Sequence, residues 1–238
     1  MQLANQYRIM KKLGLVGGTS WVSTIDYYTK INEGINQELG DLNFAECMIY
    51  SFNFQEIVKL TETNDWDAIL EMILSACKKL EHGGVDAIML CANTMHFVAD
   101  KLENDLTVPL IHIAKETASV IKQFPIKKVG LLGTKFTMEN DFFRSKLIDK
   151  EIDVIIPDSD DREFIHDSIF KELSKGIIKE ATKERYLSII QQLKSKGAEG
   201  IIAGCTEIPL IVNASDIDLT YFDTTDIHAK SAIKFSLS

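Results

Sequence analysis

The chain has 238 residues, of which 45% are hydrophobic and 26% charged, and its formal net charge at pH 7 is −9. This composition is that of a soluble globular protein and excludes a disordered, fibrous or disulfide-stapled one. The negative charge repels phosphate backbones and anionic lipid headgroups, so neither nucleic acid nor a membrane surface is expected as a partner, although a local pocket of amides can still hold a small anion.

Short apolar runs bounded by turn residues recur along the chain and contain many β-branched residues, as buried parallel strands do. The runs occupy residues 13–16, 45–52, 85–91, 108–113, 128–132, 152–156, 199–203 and 219–222. Between the runs the sequence shows helical periodicity, most clearly at residues 64–80 and 181–195, where apolar side chains recur every three or four positions. The alternation of strand and helix predicts an α/β fold.

Much of the sequence occurs twice. Residues 11–19 (KKLGLVGGT) return as 127–134 (KKVGLLGT), residues 88–94 as 201–207, and residues 119–122 as 231–234. A duplication of this length predicts two pseudo-symmetric lobes, each a parallel sheet flanked by helices. We assign residues 11–102 plus 216–238 to lobe 1 and residues 103–215 to lobe 2, with the final strand and helix, 219–237, packing back on lobe 1.

Polar residues follow the matched strands in both repeats, at the strand ends where open α/β sheets bind ligands. The turn GGTS at residues 17–20 opens a helix and exposes backbone N–H groups that suit a carboxylate, whereas the missing third glycine disfavours a dinucleotide. Simple helix capping by Asn93 or Thr206, or a merely tight glycine turn, remains the alternative. The predicted substrate-binding residues are Gly18, Thr19, Asn93, Thr94, Thr134, Thr206 and Glu207.

Cys205 is the candidate reactive residue. In the alignment of the two repeats Cys205 lies opposite Ala92, and Cys91 lies opposite Gly204, so the two strand ends offer one thiol between them. A thiolate at a strand end can act as an acid, a base or a nucleophile once neighbouring N–H dipoles lower its pKa. Because side chains alternate along a strand, Cys91 is expected to point to the other face.

Other possible site residues have simpler interpretations. His96 and His112 follow the first motif, but no Cys, His or Asp accompanies them at ligand spacing, so no metal site is predicted. The charged segment 158–163 is predicted to be a solvated loop. Cysteines expected in the core are Cys47 and Cys77, and basic residues that could reach a ligand are Arg162, Lys171 and Lys175.

The location follows from what the sequence lacks. No apolar run reaches the roughly 20 residues of a membrane-spanning helix, and residues 1–10 lack the apolar stretch of a signal peptide. The four cysteines form no CxxC pair, which fits free thiols in a reducing compartment. We therefore expect a cytoplasmic protein.

The motifs resemble those of the aspartate/glutamate racemase superfamily, and the nearest match is the amino-acid racemase branch named after aspartate racemase. The segments that carry the resemblance are LVGGTSW at 15–21, CANTMH at 91–96, LLGTKFTM at 131–138 and GCTEIP at 204–209. The resemblance implies an active site in the cleft between two lobes, no cofactor, and cysteines on opposite lobes that remove and return the proton at the substrate Cα. Donors that it implies for the α-carboxylate are Asn93, Thr94, Thr134 and Thr206.

The sequence departs from the family at one position. Members hold a catalytic cysteine, or in some relatives a threonine, immediately before Asn-Thr, and this chain has Ala92 there. Three functions stay open: an amino-acid racemase acting on aspartate or glutamate with Cys205 as the acid/base, a single-cysteine lyase similar to arylmalonate decarboxylase, and a catalytically degenerate dicarboxylate-binding relative. The resemblance also implies a homodimer.

Overall fold

The computed structural model describes residues 10–238. Within this range the chain forms two four-stranded, fully parallel sheets flanked by helices, which confirms the predicted two-lobed α/β fold. None of the helices in the same range combines the length and the hydropathy that crossing a membrane requires.

Unit 1 contains the described residues up to His112 together with Ala229–Ser238. Its strands are β1 (Leu13–Gly17), β2 (Cys47–Ser51), β3 (Ala87–Leu90) and β4 (Leu110–Ile111), in the order β2-β1-β3-β4. Its helices are α1 (Trp21–Leu39), α2 (Phe54–Glu62), α3 (Trp66–His82) and α4 (Ala99–Glu103). One face of the sheet packs on α1 and the other on α3, so the strands are buried on both sides, as their continuous apolar runs require.

Unit 2 comprises Ile113–His228 and repeats the topology of unit 1. Its strands are β5 (Lys128–Leu132), β6 (Asp153–Ile155), β7 (Gly200–Ala203) and β8 (Thr220–Asp223), in the order β6-β5-β7-β8. Its helices are α5 (Ile113–Ile121), α6 (Lys135–Glu139), α7 (Asp141–Ile148), α8 (Ser159–Lys171) and α9 (Glu180–Ser195), and α10 (Thr224–Ser236) begins in unit 2. The equal strand order is the structural counterpart of the repeated sequence.

Two segments lie in a different unit from the one that the sequence assigns. β4 pairs with β3 through Ile88 and Leu110, so residues 103–112 remain in unit 1. β8 pairs with β7, with Ala203 beside Asp223, so residues 216–228 remain in unit 2. Edge pairing decides both cases, because each short strand satisfies its backbone groups on its neighbour. The part of α10 from Ala229 onward belongs to unit 1.

At the amino end of each sheet, a carboxylate accepts hydrogen bonds from backbone amides at the start of a neighbouring strand. Asp86 accepts a hydrogen bond from the Lys12 amide at 2.7 Å, and the Asp86 amide donates to the Lys12 carbonyl at 2.7 Å. Glu199 accepts from the amides of Lys127 and Lys128 at 2.6 and 3.1 Å, and these bonds lower the pKa of Glu199. The two carboxylates therefore join β1 to β3 and β5 to β7 at the amino end of each sheet. The predicted site residues follow the carboxyl ends of these strands.

Candidate active site

The turn after β1 is closely packed and requires glycine. Gly18 has a φ of +80°, and a Cβ there would lie 2.2 Å from the Phe52 backbone nitrogen. A Cβ on Gly17 would lie 2.4 Å from the Thr24 side chain. The Gly18 amide donates to Thr24 Oγ1 at 2.9 Å, and Thr24 donates in turn to the Ser20 carbonyl at 3.0 Å. The Gly18 amide, which the sequence suggested as an anion donor, is thus occupied inside the turn.

Thr19 is the residue of this turn with an unused polar atom. Its side chain is 7% exposed, and its Oγ1 has no hydrogen-bond partner among residues 10–238. A buried hydroxyl without a partner costs about 1–3 kcal/mol, so this oxygen is suited to a ligand. The next residue, Ser20, caps α1 and has a φ of 126°, a strained value for a residue other than glycine.

The end of β3 places Cys91 and Ala92 on opposite sides of the sheet, as alternation predicts. Cys91 is fully buried in the cluster on the α1 side, and its carbonyl accepts from Ser23 Oγ at 2.7 Å. Burial, with a smaller contribution from Cys47, raises the pKa of the Cys91 thiol. Ala92 is half-buried and packs against the cluster on the α3 side. Cys91 is therefore a core residue rather than a substitute for a thiol at position 92.

The residues after Ala92 form a short 3₁₀-helix, Thr94–Val98. Asn93 precedes it in a helical conformation, is 7% exposed, and makes no side-chain capping bond, so helix capping does not explain the asparagine. His96 Nδ1 lies 3.0 Å from the Ala92 carbonyl oxygen. The His96 and His112 rings, both buried, lie with centroids 4.9 Å apart and are tilted by 52°, so these histidines form a packed pair within unit 1.

In unit 2 the residue after β5 caps a helix. Thr134 accepts from the Thr137 amide at 3.2 Å, and the hydroxyls of the two threonines lie 3.1 Å apart. A Cβ on Gly133 would lie 3.2 Å from the Gly204 carbonyl oxygen, so the ends of β5 and β7 approach closely. This approach brings Thr134 and the residues after β7 to the same edge of the sheet. Thr134 combines the capping role with the position expected for a ligand contact.

Cys205 is the first side chain after β7. Gly204 donates to the Leu132 carbonyl at 2.7 Å, which holds the strand end in register, and the half-buried Cys205 packs against the core of unit 2. The Cys205 thiol donates to Glu207 Oε2 at 2.8 Å, and the Thr206 hydroxyl donates to the same oxygen at 2.8 Å. Three consecutive predicted site residues are thus joined through one carboxylate oxygen.

The electrostatic environment of Cys205 differs from the expectation. Burial, followed by the Glu207 carboxylate, raises the pKa of the Cys205 thiol well above its ordinary value. The backbone N–H groups of Glu207 and Thr206 act in the predicted direction, but their effect is smaller. The sequence interpretation counted the N–H dipoles and missed the carboxylate two residues further on. Glu207 is therefore an acceptor for Cys205 and Thr206 rather than a donor to an anionic ligand.

Two of the three basic candidates of unit 2, Arg162 and Lys171, are engaged with carboxylates, whereas Lys175 is an exposed residue. Arg162 pairs with Glu139 at 2.8 Å, and Lys171 pairs with Asp167 at 2.8 Å. The segment 158–163, predicted as a loop, instead begins α8 at Ser159. Acidic residues in a first helical turn complement the helix dipole, which explains why a charged segment folds this way.

In both units a matched strand, β3 or β7, is followed by polar residues, and a half-buried thiol, that of Cys205, follows β7. The model of the Asp/Glu/hydantoin racemase family matches residues 16–232, and the chain belongs to this family. Family membership supports an amino-acid racemase, which is an isomerase.

Individual relatives match almost the whole chain. The broad-specificity amino-acid racemase RacX of Bacillus subtilis (strain 168) is 25% identical over 236 residues, covering 95% of this chain and 98% of that protein. The crystal structure of a candidate Asp/Glu racemase from Yersinia pestis has a TM-score of 0.92 at 46% identity, covering 96% of this chain and 100% of that one. An aspartate racemase homologue from Pyrococcus horikoshii OT3 has a TM-score of 0.85 at 35% identity, with coverage of 96% and 100%.

Proposed function

We propose that the protein is a cofactor-independent racemase of aspartate or glutamate in which Cys205 exchanges the proton at the substrate Cα. The family supports the class of reaction. The contact of 2.8 Å between the half-buried Cys205 thiol and Glu207 Oε2 supports the choice of residue, because it gives the thiol an adjacent proton acceptor. Cys91, by contrast, is enclosed in the core.

Removal of a Cα proton requires stabilisation of the carbanion, since an amino-acid Cα–H is a very weak acid. Hydrogen-bond donors placed where negative charge develops supply this stabilisation. In the proposed mechanism the donors to the α-carboxylate include the Thr19 hydroxyl, whose oxygen has no partner within the described part of the chain. The other proposed substrate-binding residues are Asn93 and Thr94 in unit 1 and Thr134 and Thr206 in unit 2.

One observation favours a second candidate function. Ala92 cannot carry a proton, and Cys91 lies on the opposite face of the sheet, so the aligned strand ends provide one thiol. A single thiol can protonate one face of a carbanion, which is what a lyase similar to arylmalonate decarboxylase requires. A degenerate relative that binds a dicarboxylate without turnover would need neither the thiol nor its contact with Glu207.

The proposal is tested by incubating the purified protein with single enantiomers of aspartate and glutamate and separating the products by chiral chromatography. We expect the opposite enantiomer to appear with one of these acids, and none with Cys205→Ser. Release of CO₂ from a disubstituted malonate, without any racemisation, would instead establish the lyase. Calorimetric binding of the dicarboxylates with neither reaction would establish the degenerate relative.

A further inference from the structure

We infer that the Thr225 hydroxyl holds the α-ammonium group of the amino acid whose Cα proton Cys205 exchanges. Thr225 follows β8, in the part of α10 that belongs to unit 2. This contact rests on the proposed Cα chemistry and adds a substrate-binding residue to it. The side chains proposed above serve the α-carboxylate, whereas an ammonium group has three N–H donors and needs acceptors.

Thr225 carries a buried polar atom without a partner. The residue is 1% exposed, and its Oγ1 makes no hydrogen bond with any group of residues 10–238. The adjacent Thr224 differs, because its Oγ1 donates to the Ala203 carbonyl at 2.8 Å. An unpaired buried hydroxyl is unfavourable, and its lone pairs can accept a hydrogen bond from a ligand. Thr224 therefore anchors the end of β8, and Thr225 is the one of the two that suits a ligand.

Thr225 and Cys205 occupy equivalent positions after neighbouring strands. β7 and β8 are parallel, with Ala203 paired to Asp223, and Cys205 and Thr225 each follow two residues after this pair. The hydrogen bond from Thr224 to Ala203 holds the two chains together as they leave the sheet. The α-ammonium is bonded directly to the Cα on which the proposed thiol acts, so its acceptor has to lie near Cys205. The register of β7 and β8 meets this requirement at Thr225.

The charge around Thr225 favours a cation over an anion. Asp223 caps α10, and its Oδ1 accepts from the amides of Thr225 at 2.9 Å and Asp226 at 3.2 Å. These amides are the groups that an anion at the start of a helix would need, so a second carboxylate there would be repelled and left without donors. The segments 204–210 and 223–229, at the ends of β7 and β8, contain three carboxylates and no lysine or arginine. The ammonium is therefore the part of an amino acid that suits Thr225.

Thr225→Val tests the contact, because valine keeps the branched shape of threonine and removes the hydroxyl. Binding is measured by calorimetry with two pairs of acids, aspartate with succinate and glutamate with glutarate, whose members differ by the ammonium group. We expect Thr225→Val to weaken binding of the amino acid by about tenfold or more, as for a hydrogen bond to a charged group, and to leave binding of succinate and glutarate unchanged. The midpoint of urea denaturation should not fall, since the lost hydroxyl has no partner within the described part of the free chain.

Two control variants separate the contact from a structural effect. Thr225→Ser keeps the hydroxyl and should retain the preference for the amino acid over the matching acid without the ammonium. Thr224→Val removes the neighbouring buried hydroxyl, which is paired with Ala203, and should lower the urea midpoint without changing that preference.

The outcomes for the contact and for the proposed function are distinct. If Thr225→Val weakens both members of a pair equally, or weakens neither, the inference is wrong. Selective weakening in a protein whose wild type exchanges no Cα proton would support the contact and contradict the proposed function. A wild type that binds none of the four acids would overturn both.

Discussion

At the residue scale, Cys205 and Cys91 are thiols at matching ends of two strands, but their surroundings differ. Cys205 is half-buried and donates to a carboxylate at 2.8 Å, whereas Cys91 has no exposed surface. A reactive thiol needs access to its substrate and a route for its proton. Partial exposure and an adjacent carboxylate therefore favour Cys205 over the enclosed Cys91 as the proposed reactive thiol.

Serine substitutions of the two cysteines should therefore have different consequences. Cys205→Ser should lower Cα proton exchange by about 10²–10⁴-fold, because a serine hydroxyl is too weak an acid to replace the thiol. Cys91→Ser should leave exchange nearly unchanged and lower the free energy of unfolding by about 1–3 kcal/mol, because it buries a hydroxyl in an apolar core. Exchange is followed by NMR in D₂O and stability by urea denaturation. Equal losses of exchange in two folded variants would contradict this assignment.

Position 92 tests whether the missing proton carrier limits inversion. Ala92 is half-buried after β3, so a cysteine adds one sulfur atom without entering the core that encloses Cys91. Ala92→Cys should raise the rate of inversion relative to the rate of Cα exchange, because it supplies a second acid/base. Deuterium uptake and the D/L ratio are measured together on aspartate and glutamate. Ala92→Ser is the control of similar size, and an equal gain from serine would exclude a thiol effect.

At the element scale, Glu81 near the end of α3 fixes the segment that leads into β4. Its Oε1 accepts from the Thr107 amide at 2.5 Å, the Thr107 hydroxyl at 2.8 Å and the Val108 amide at 3.2 Å. Its Oε2 binds the Lys78 ammonium at 2.8 Å. Burial opposes ionisation most strongly, but the bonds from Lys78 and Thr107 together outweigh it and lower the pKa of Glu81 to about 2.

This carboxylate should make stability depend on pH in a defined range. Since the folded pKa lies below the ordinary value of 4.5, the stabilisation is present above pH 4.5 and is lost as the pH falls from 4.5 towards 2. Glu81→Gln should lower the free energy of unfolding by about 1–3 kcal/mol at pH 7 and flatten its decline in acid. Urea denaturation between pH 3 and 7 measures both effects.

The control for Glu81 is an exposed carboxylate. Glu151 pairs with Lys122 at 3.3 Å and its side chain is 91% exposed, so Glu151→Gln should change stability little. A Glu81→Gln deficit of the same size at every pH between 3 and 7 would show that the carboxylate is not stabilised by its hydrogen bonds.

The sequence predicts the strands of each sheet well and their partners less well. The runs 13–16 and 128–132 coincide with β1 and β5, because a continuous apolar run is what burial on both faces requires. β4 has two residues, although the apolar run covers 108–113, since only Leu110 and Ile111 pair with β3. Which neighbour an edge strand pairs with depends on the whole sheet and not on its own residues.

The sequence likewise predicts only part of the candidate site. The pattern of strand followed by polar residues places Thr19, Asn93 and Cys205 at strand ends, since that placement follows from local periodicity. The hydrogen bonds do not follow from it. The Gly18 amide binds Thr24, and Glu207 turns back to Cys205, and both depend on the path of a turn. The direction in which the pKa of Cys205 is shifted could therefore be determined only from the structure.

At the scale of the whole molecule, the duplicated halves share one strand order, and one of the two divisions between the units falls inside a continuous helix. α5 follows β4 of unit 1 and belongs to unit 2, and α10 begins in unit 2 and contributes Ala229–Ser238 to unit 1. Within residues 10–238 no linker separates the units, so no Pro/Gly/Ser-rich stretch marks their boundaries in the sequence. At the aligned strand ends, one copy has Ala92 where the other has Cys205.

The central claim is that one thiol, Cys205, moves the proton at the Cα of an amino acid. The most direct measurement is deuterium uptake at Cα when single enantiomers of aspartate and glutamate are incubated with the wild-type protein in D₂O, with chiral analysis of the same samples. We predict that one enantiomer takes up deuterium with retention faster than it inverts, and that uptake is lost in Cys205→Ser. Uptake that persists in Cys205→Ser, or no uptake with either acid, would contradict the claim.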